Sequence, residues 1–173
     1  MSACTMSACG RLYRCAIFAL IILAAGLAAT AAVGAESGRT VPRFASLRAD
    51  EVNVRTGPGV RYPVEWVFAR LAMPVEITAE FDTWRKIRDW QATEGWVHQS
   101  MLSGRRTVII VGQVHTLRRA PSADAPAVAH AEPGVIGKLL GCDSRWCRIE
   151  IAGYKGWLRR GEIWGVYPDE IIE

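Results

Sequence analysis

The sequence predicts an all-β protein, two small β-barrels in tandem behind an N-terminal leader. Three observations lead there. Short stretches such as Val52-Asn53-Val54-Arg55, Val75-Glu76-Ile77-Thr78 and Ile149-Glu150-Ile151 alternate apolar and polar residues, the period of a half-buried strand. Breakers punctuate them at Gly57-Pro58-Gly59, Pro63, Pro74, Pro121, Pro126, Pro133-Gly134, Gly153 and Gly156. The two halves of the chain also repeat each other, a signal that outranks any single element. Helical spacing is not sustained beyond the leader.

Residues 1–35 read as a signal peptide. Arg11 and Arg14 precede an uncharged run from Ala16 to Ala35, which ends in the small residues Val33-Gly34-Ala35. An uncleaved anchor is the rival reading, since a bilayer core needs about 17 to 25 apolar residues. The Ala- and Gly-rich second half of the run is weakly hydrophobic and argues for cleavage. Cys15 lies ahead of the apolar run, whereas a lipid-attachment cysteine belongs at its far end. The pentads Met1–Thr5 and Met6–Gly10 nearly repeat, which leaves Met6 as an alternative start. The expected location is periplasmic or secreted, with membrane contact only through the leader if it is retained.

The whole chain carries 21 Lys and Arg against 17 Asp and Glu. The leader takes two arginines and no acid with it, which leaves nineteen cations against seventeen acids. Such balance, without a dense basic stripe, argues against nucleic acid as a partner and leaves only a weak preference for anionic surfaces. Three of the five cysteines lie in the leader, so Cys142 and Cys147 are the pair of the mature chain. An even pair in an exported protein predicts a disulfide. The turn-compatible Asp143-Ser144-Arg145 between them suits a hairpin. A metal site or redox pair would need further ligands or a C-x-x-C spacing, and neither accompanies them.

The repeat organises the mature chain. Val54-Arg55-Thr56-Gly57-Pro58 lines up with Leu117-Arg118-Arg119-Ala120-Pro121 at an offset of 63. Trp84-Arg85-Lys86-Ile87 matches Trp146-Cys147-Arg148-Ile149 at 62, and Gly95-Trp96-Val97 matches Gly156-Trp157-Leu158 at 61. The expected layout is a short N-terminal linker over 36–42, a first barrel over 43–103, a second over 107–168 and a tail over 169–173 with no evident partner. The boundary falls at Ser103-Gly104-Arg105-Arg106, a linker so short that the barrels should touch. Contact would help them, because a unit of about 60 residues buries only about 60% of its unfolded surface.

With Val52-Asn53-Val54-Arg55-Thr56-Gly57-Pro58-Gly59, Tyr62-Pro63-Val64, Trp84-Arg85-Lys86-Ile87 and Gly95-Trp96-Val97, the first unit resembles the bacterial SH3-like family. The shared pattern is an N-V-R-x-G-P opening, a central W-x-x-V/I strand and a closing G-W-V. The second unit keeps Arg118, Pro121, Trp146, Ile149 and Gly156-Trp157 but opens with Thr116-Leu117-Arg118-Arg119-Ala120-Pro121 instead. The resemblance implies SH3-like barrels of five or six strands. The family usually occurs in exported proteins and is often attached to cell-wall hydrolases, where it is thought to bind wall peptides or glycans.

Trp84 and Trp146 fall on the strand face opposite Ile87 and Ile149, which should point into the cores. Each either floors a recognition groove or packs under a long loop. Trp96 and Trp157, each after a glycine (Gly95, Gly156), read as structural, the glycine admitting a closely approaching neighbour. Tyr62, Trp66 and Trp90 lie in or near expected loops and have no aligned partners, which makes them ligand-binding candidates and the first barrel the better binder. Arg55 and Arg118 should hold the carbonyls or carboxylate of a turn. Asn53 should turn back onto local backbone. Gly57, Pro58 and Pro121 read as turn residues.

Catalysis finds little support. His98, His115 and His130 do not align across the repeat, and the sequence holds no paired-carboxylate motif, phosphate loop or H-E-x-x-H string. No cofactor and no metal is expected. Two functions fit: an envelope module that binds cell-wall peptide or glycan through an aromatic groove, or a platform for another envelope protein.

Overall fold

The computed structural model describes residues 37–173, so the leader lies outside the described residues. Within them, the first copy folds as β1 (Arg43–Leu47), β2 (Val52–Arg55), β3 (Val64–Phe68), β4 (Pro74–Phe81), β5 (Trp84–Arg88), β6 (Glu94–His98) and β7 (Leu102–Ser103). The second follows with β8 (Thr107–Ile110), β9 (His115–Arg118), β10 (Ala127–Ala131), β11 (Ile136–Cys142), β12 (Trp146–Ile151), β13 (Tyr154–Arg159) and β14 (Ile163–Trp164). A single turn of 3-10 helix precedes the last strand of each copy, Gln99–Met101 and Arg160–Glu162.

The two sheets have the same antiparallel order, β3-β2-β6-β5-β4-β1-β7 and β10-β9-β13-β12-β11-β8-β14. Each has seven strands where five or six were expected. The difference includes a two-residue strand after the 3-10 turn, which pairs with the first strand of its copy: Leu102 with Leu47, and Ile163 with Ile110.

Each sheet encloses its own core, and the cores correspond residue by residue. Leu47, Val54, Ile77, Ile87 and Val97 in the first stand where Ile110, Leu117, Leu139, Ile149 and Leu158 stand in the second. Gly95 and Gly156 make this packing possible. A Cβ on Gly95 would lie 2.3 Å from Val54 Cγ1, and one on Gly156 would lie 2.6 Å from Leu117 Cγ. The absent side chain lets β6 and β13 close against β2 and β9.

The barrels touch. Ile136 of the second packs on the first core, Thr107 Oγ1 donates to the Ala72 carbonyl at 2.8 Å, and Arg70 donates to the Gly134 carbonyl at 2.8 Å. The end of the second copy completes the contact, and the tail, expected to lack a partner, follows it onto the fold. Tyr167 donates its hydroxyl to buried Glu76 at 2.9 Å, and its ring lies 4.7 Å from that of Phe44, which also meets Trp164 edge-on at 5.0 Å. Burial and the Glu76 carboxylate push the Tyr167 hydroxyl far above its ordinary pKa. Further on, Glu170 pairs with Arg106 at 2.5 Å, and Ile172 exchanges backbone hydrogen bonds with Cys142. Residues 169–173 therefore belong to the folded unit, because the apolar and acidic string meets an exposed strand end and two arginines.

Candidate functional site

The hairpin loop after the first N-V-R strand is built by the backbone. Thr56 N–H donates to the Pro63 carbonyl, Gly59 N–H to Gly57 and Tyr62 N–H to Gly59, while Arg55 donates to the carbonyls of Val60 and Tyr62 at 3.1 and 2.7 Å. The second copy repeats the arrangement position for position. Arg119 N–H donates to Pro126, Ser122 N–H to Ala120, Ala125 N–H to Ser122, and Arg118 to the Ala125 carbonyl at 2.9 Å. The loop survives the altered opening motif because main-chain groups and one guanidinium define it. In the first copy the half-buried Tyr62 ring fills the space above Gly57, where a Cβ would come within 2.4 Å of it.

The central tryptophans diverge. Trp84 is half-buried and meets the His98 ring edge-on at 5.6 Å. Trp146 is 8% exposed, with the Arg159 guanidinium 5.4 Å from its ring centre. It lines an open cleft of about 600 Å³, bounded by Pro121–Asp124 on the loop side and by Arg145, Arg159, Arg160 and Gly161 on the other. The turn bearing Arg145 is tied by hydrogen bonds from its own backbone. Asp143 accepts from the N–H groups of Arg145 and Trp146 at 2.8 and 2.7 Å, which hold its carboxyl below the ordinary pKa. The Cys142–Cys147 disulfide, Cα atoms 4.1 Å apart, closes the base of the hairpin. Arg160 donates to the carbonyls of Asp143, Tyr167 and Glu170 and so ties turn, 3-10 helix and tail together.

Arg145 and Arg159 are exposed at the rim, with Asp124 as the carboxylate of the lining. Neither His nor Cys lines this cleft. Guanidinium forks beside an indole can pair with carboxylates and pack on an apolar surface. The corresponding positions in the first copy are Thr83, Trp84, His98 and Gln99, which carry no fixed charge. A cleft of about 590 Å³ does lie beside the first barrel, but its Arg43 and Arg85 are bound to Glu80 at 2.5 and 3.2 Å. Burial opposes ionisation of Glu80, yet hydrogen bonds from Ser37 and Arg43 hold its carboxyl down at about 2.

Of the five aromatic candidates, only Trp146 lines one of these clefts, so the geometry moves the candidate site from the first barrel to the second. Trp66 is not in a loop. It lies in β3 opposite Val54, 53% exposed, because Val64–Phe68 pairs with β2. Trp90 is half-buried in the turn after β5, where Asp89 accepts from the N–H groups of Gln91 and Thr93. Asn53 points outward from the middle of β2 and its side chain makes no hydrogen bond among the described residues, since the strand ladder already occupies its backbone neighbours. Pro121, read as a turn residue, forms part of the cleft wall. Trp96 and Trp157 are half-buried, registered against Arg55 and Lys86 and against Arg118 and Arg148. Sequence reading missed Arg145, Arg159 and Arg160, although their replacement of Thr83, His98 and Gln99 is visible once the repeat is aligned. Among the described residues, no group of three or more His, Cys, Asp or Glu is placed to hold a metal ion.

The family model described as bacterial SH3 domain matches twice, at residues 48–104 and 112–165. No curated protein matches the chain. Among solved structures, it is similar to NlpC2 of Trichomonas vaginalis (13% identity, TM-score 0.34, 72% of this chain and 48% of that one). It is also similar to NlpC1 of the same organism (14%, 0.33, 76% and 48%) and to an NlpC/P60 family protein from Bacillus cereus (15%, 0.32, 69% and 55%). The chain spans about half the length of each of these structures.

Proposed function

The chain belongs to the bacterial SH3 domain family, and from that premise we propose that it is an exported, non-enzymatic binding protein of the cell envelope, whose second barrel holds cell-wall peptide. The observation that carries this reading is the cleft floored by Trp146 and rimmed by Arg145 and Arg159. Stem peptides of the wall are rich in carboxylates, which guanidinium forks hold in bidentate fashion, while the indole covers the ligand's apolar side. Glycan strands would use the indole but leave the arginines with less to do. The reading requires neither cofactor nor metal, and it places the mature chain in the periplasm or outside the cell.

The test is co-sedimentation of the mature protein with insoluble peptidoglycan. Wild type should pellet, and Trp146→Ala and Arg159→Ala should each stay largely in the supernatant while keeping a β-type circular dichroism spectrum. Wild-type protein that remains soluble would remove the reading. A second reading, a platform for another envelope protein, draws on β3, where Val64, Trp66 and Val67 are 42%, 53% and 49% exposed. Capture of a single envelope protein that Trp66→Ala abolishes would favour it.

A further inference from the structure

The near-neutral charge of the mature chain conceals an uneven distribution that appears only when strand register is known. On the outer face of the second barrel, Trp146 is registered against Arg159, Arg148 against Trp157 and Trp157 against Arg118, and Glu150 lies between Lys138 and Lys155. Buried Leu117, Leu139, Cys147, Ile149 and Leu158 alternate with them and fix which side faces out. These rows hold five cations and one carboxylate, Glu150, with Asp124 and Glu162 beside Arg159 at their edge.

The first barrel supplies an internal control, because the same positions exist there on the same fold. Its rows read Trp84 against His98, Lys86 against Trp96 and Trp96 against Arg55, and Arg88 between Glu76 and Glu94. The third row is inverted in sign between the copies. In the first it closes on itself: Arg88 is bound to Glu76, which is buried beneath Tyr167, and Glu94 pairs with Lys86 at 2.5 Å. In the second, Lys138, Arg148 and Lys155 are exposed, and the one contact that approaches a salt bridge is Lys155 to Glu150 at 3.9 Å. The fold does not demand Lys138 or Lys155, since the sister copy forms with Glu76 and Glu94 in their places.

We infer that this face docks the protein on the headgroup plane of an acidic phospholipid membrane, a contact independent of the leader. Rows repeat about every 7 Å along the strands and about 5 Å across them, so the cations form a broad, shallow patch. Lys138, Arg148, Lys155 and Trp157 lie outside the Trp146 cleft, so they meet a plane more readily than a single strand of polymer. Trp157 stands half-buried among them, and an indole with an apolar body and one N–H suits the boundary between headgroups and acyl chains. Each Lys or Arg near an anionic leaflet adds attraction that salt screens.

The experiment is sedimentation with vesicles of phosphatidylglycerol and phosphatidylcholine in equal parts, beside vesicles of phosphatidylcholine alone. Wild type should partition onto the acidic vesicles only and be released in molar salt, where the Debye length shrinks to about 3 Å. The triple variant Lys138→Gln, Arg148→Gln, Lys155→Gln should lose partitioning on the order of a hundredfold. Arg48→Gln, exposed on the first barrel, should behave as wild type. Circular dichroism establishes that each variant is folded, and a pellet with peptidoglycan reads the Trp146 cleft separately. Equal binding to both vesicle types, an unaffected triple variant, or capture of soluble polyphosphate without vesicle binding would overturn the inference.

Discussion

Cys142 and Cys147 stand directly opposite each other across β11 and β12, bonded, at the cross-strand position where β4 and β5 of the first barrel set Glu80 against Arg85. One hairpin base is thus closed covalently and the other by an ion pair, Glu80 to Arg85 at 3.2 Å. Each closure also receives a segment from outside its barrel strands: Ser37 donates its N–H and hydroxyl to Glu80, and Ile172 pairs with Cys142.

The disulfide closes a short loop, so its effect on the unfolded chain is small, about 2 kcal/mol on the chain-entropy account. The Cys142→Ser, Cys147→Ser double variant should therefore melt lower by about 6 °C, with the fold retained. A thiol count on the denatured, unreduced protein should find neither cysteine reactive. Two reactive thiols would reject the pairing, and an unchanged melting point would reject its contribution.

Much of this architecture is legible in the sequence, and the part that is not has a common cause. The repeat, the strand alternation and the cysteine pair are local or periodic signals. The position of Trp66 in β3 is not, because pairing with β2 decides it across a turn. Neither is the tail, whose partners Arg106, Glu76 and Cys142 come from three separate stretches. Lys138, Glu150 and Lys155 become one row only when three strands are laid side by side in register. The cleft needed both the alignment and the depth of Trp146, because alternation reports which face a side chain takes and not how far neighbours such as Arg159 cover it.

Gly95 and Gly156 hold equivalent positions but do not tolerate a methyl group equally. At Gly95 the clash is with the Val54 side chain at 2.3 Å, the nearest backbone atom being the Arg55 carbonyl at 3.1 Å. At Gly156 the Arg118 carbonyl itself lies at 2.7 Å, beside Leu117 Cγ at 2.6 Å. A side chain can rotate away, whereas a ladder carbonyl cannot. Gly95→Ala should cost about 2 kcal/mol and Gly156→Ala about 3 kcal/mol or more, read from urea denaturation. Equal or reversed costs would contradict the packing described for β6 and β13.

The two central tryptophans should separate in the same way. Trp84 is half-buried against His98, and its truncation should cost about 1 kcal/mol. Trp146 is 8% exposed beneath Arg159, so Trp146→Ala leaves a larger void and should cost about 3 kcal/mol while the chain still folds. Thermal melts of the two variants compare these directly, and a Trp84 variant less stable than the Trp146 variant would reverse the assignment.

Glu80 gives the first barrel a defined response to acid. Its side chain is 5% exposed, and although burial favours the protonated form, Ser37 and Arg43 hold the folded carboxyl at about 2 against an ordinary 4.5. The depressed value means that the unfolded chain takes up the proton first. The contribution to stability is therefore complete above about pH 4.5 and is lost as the pH falls toward about 2. Glu80→Gln removes the titrating group and should lower stability at neutral pH, where the ion pairs with Arg43 and Arg85 are lost. It should also flatten the acid limb. Melting points measured at about pH 6 and about pH 2.5 should fall further for wild type than for the variant. Equal falls would mean that Glu80 does not carry this part of the pH dependence.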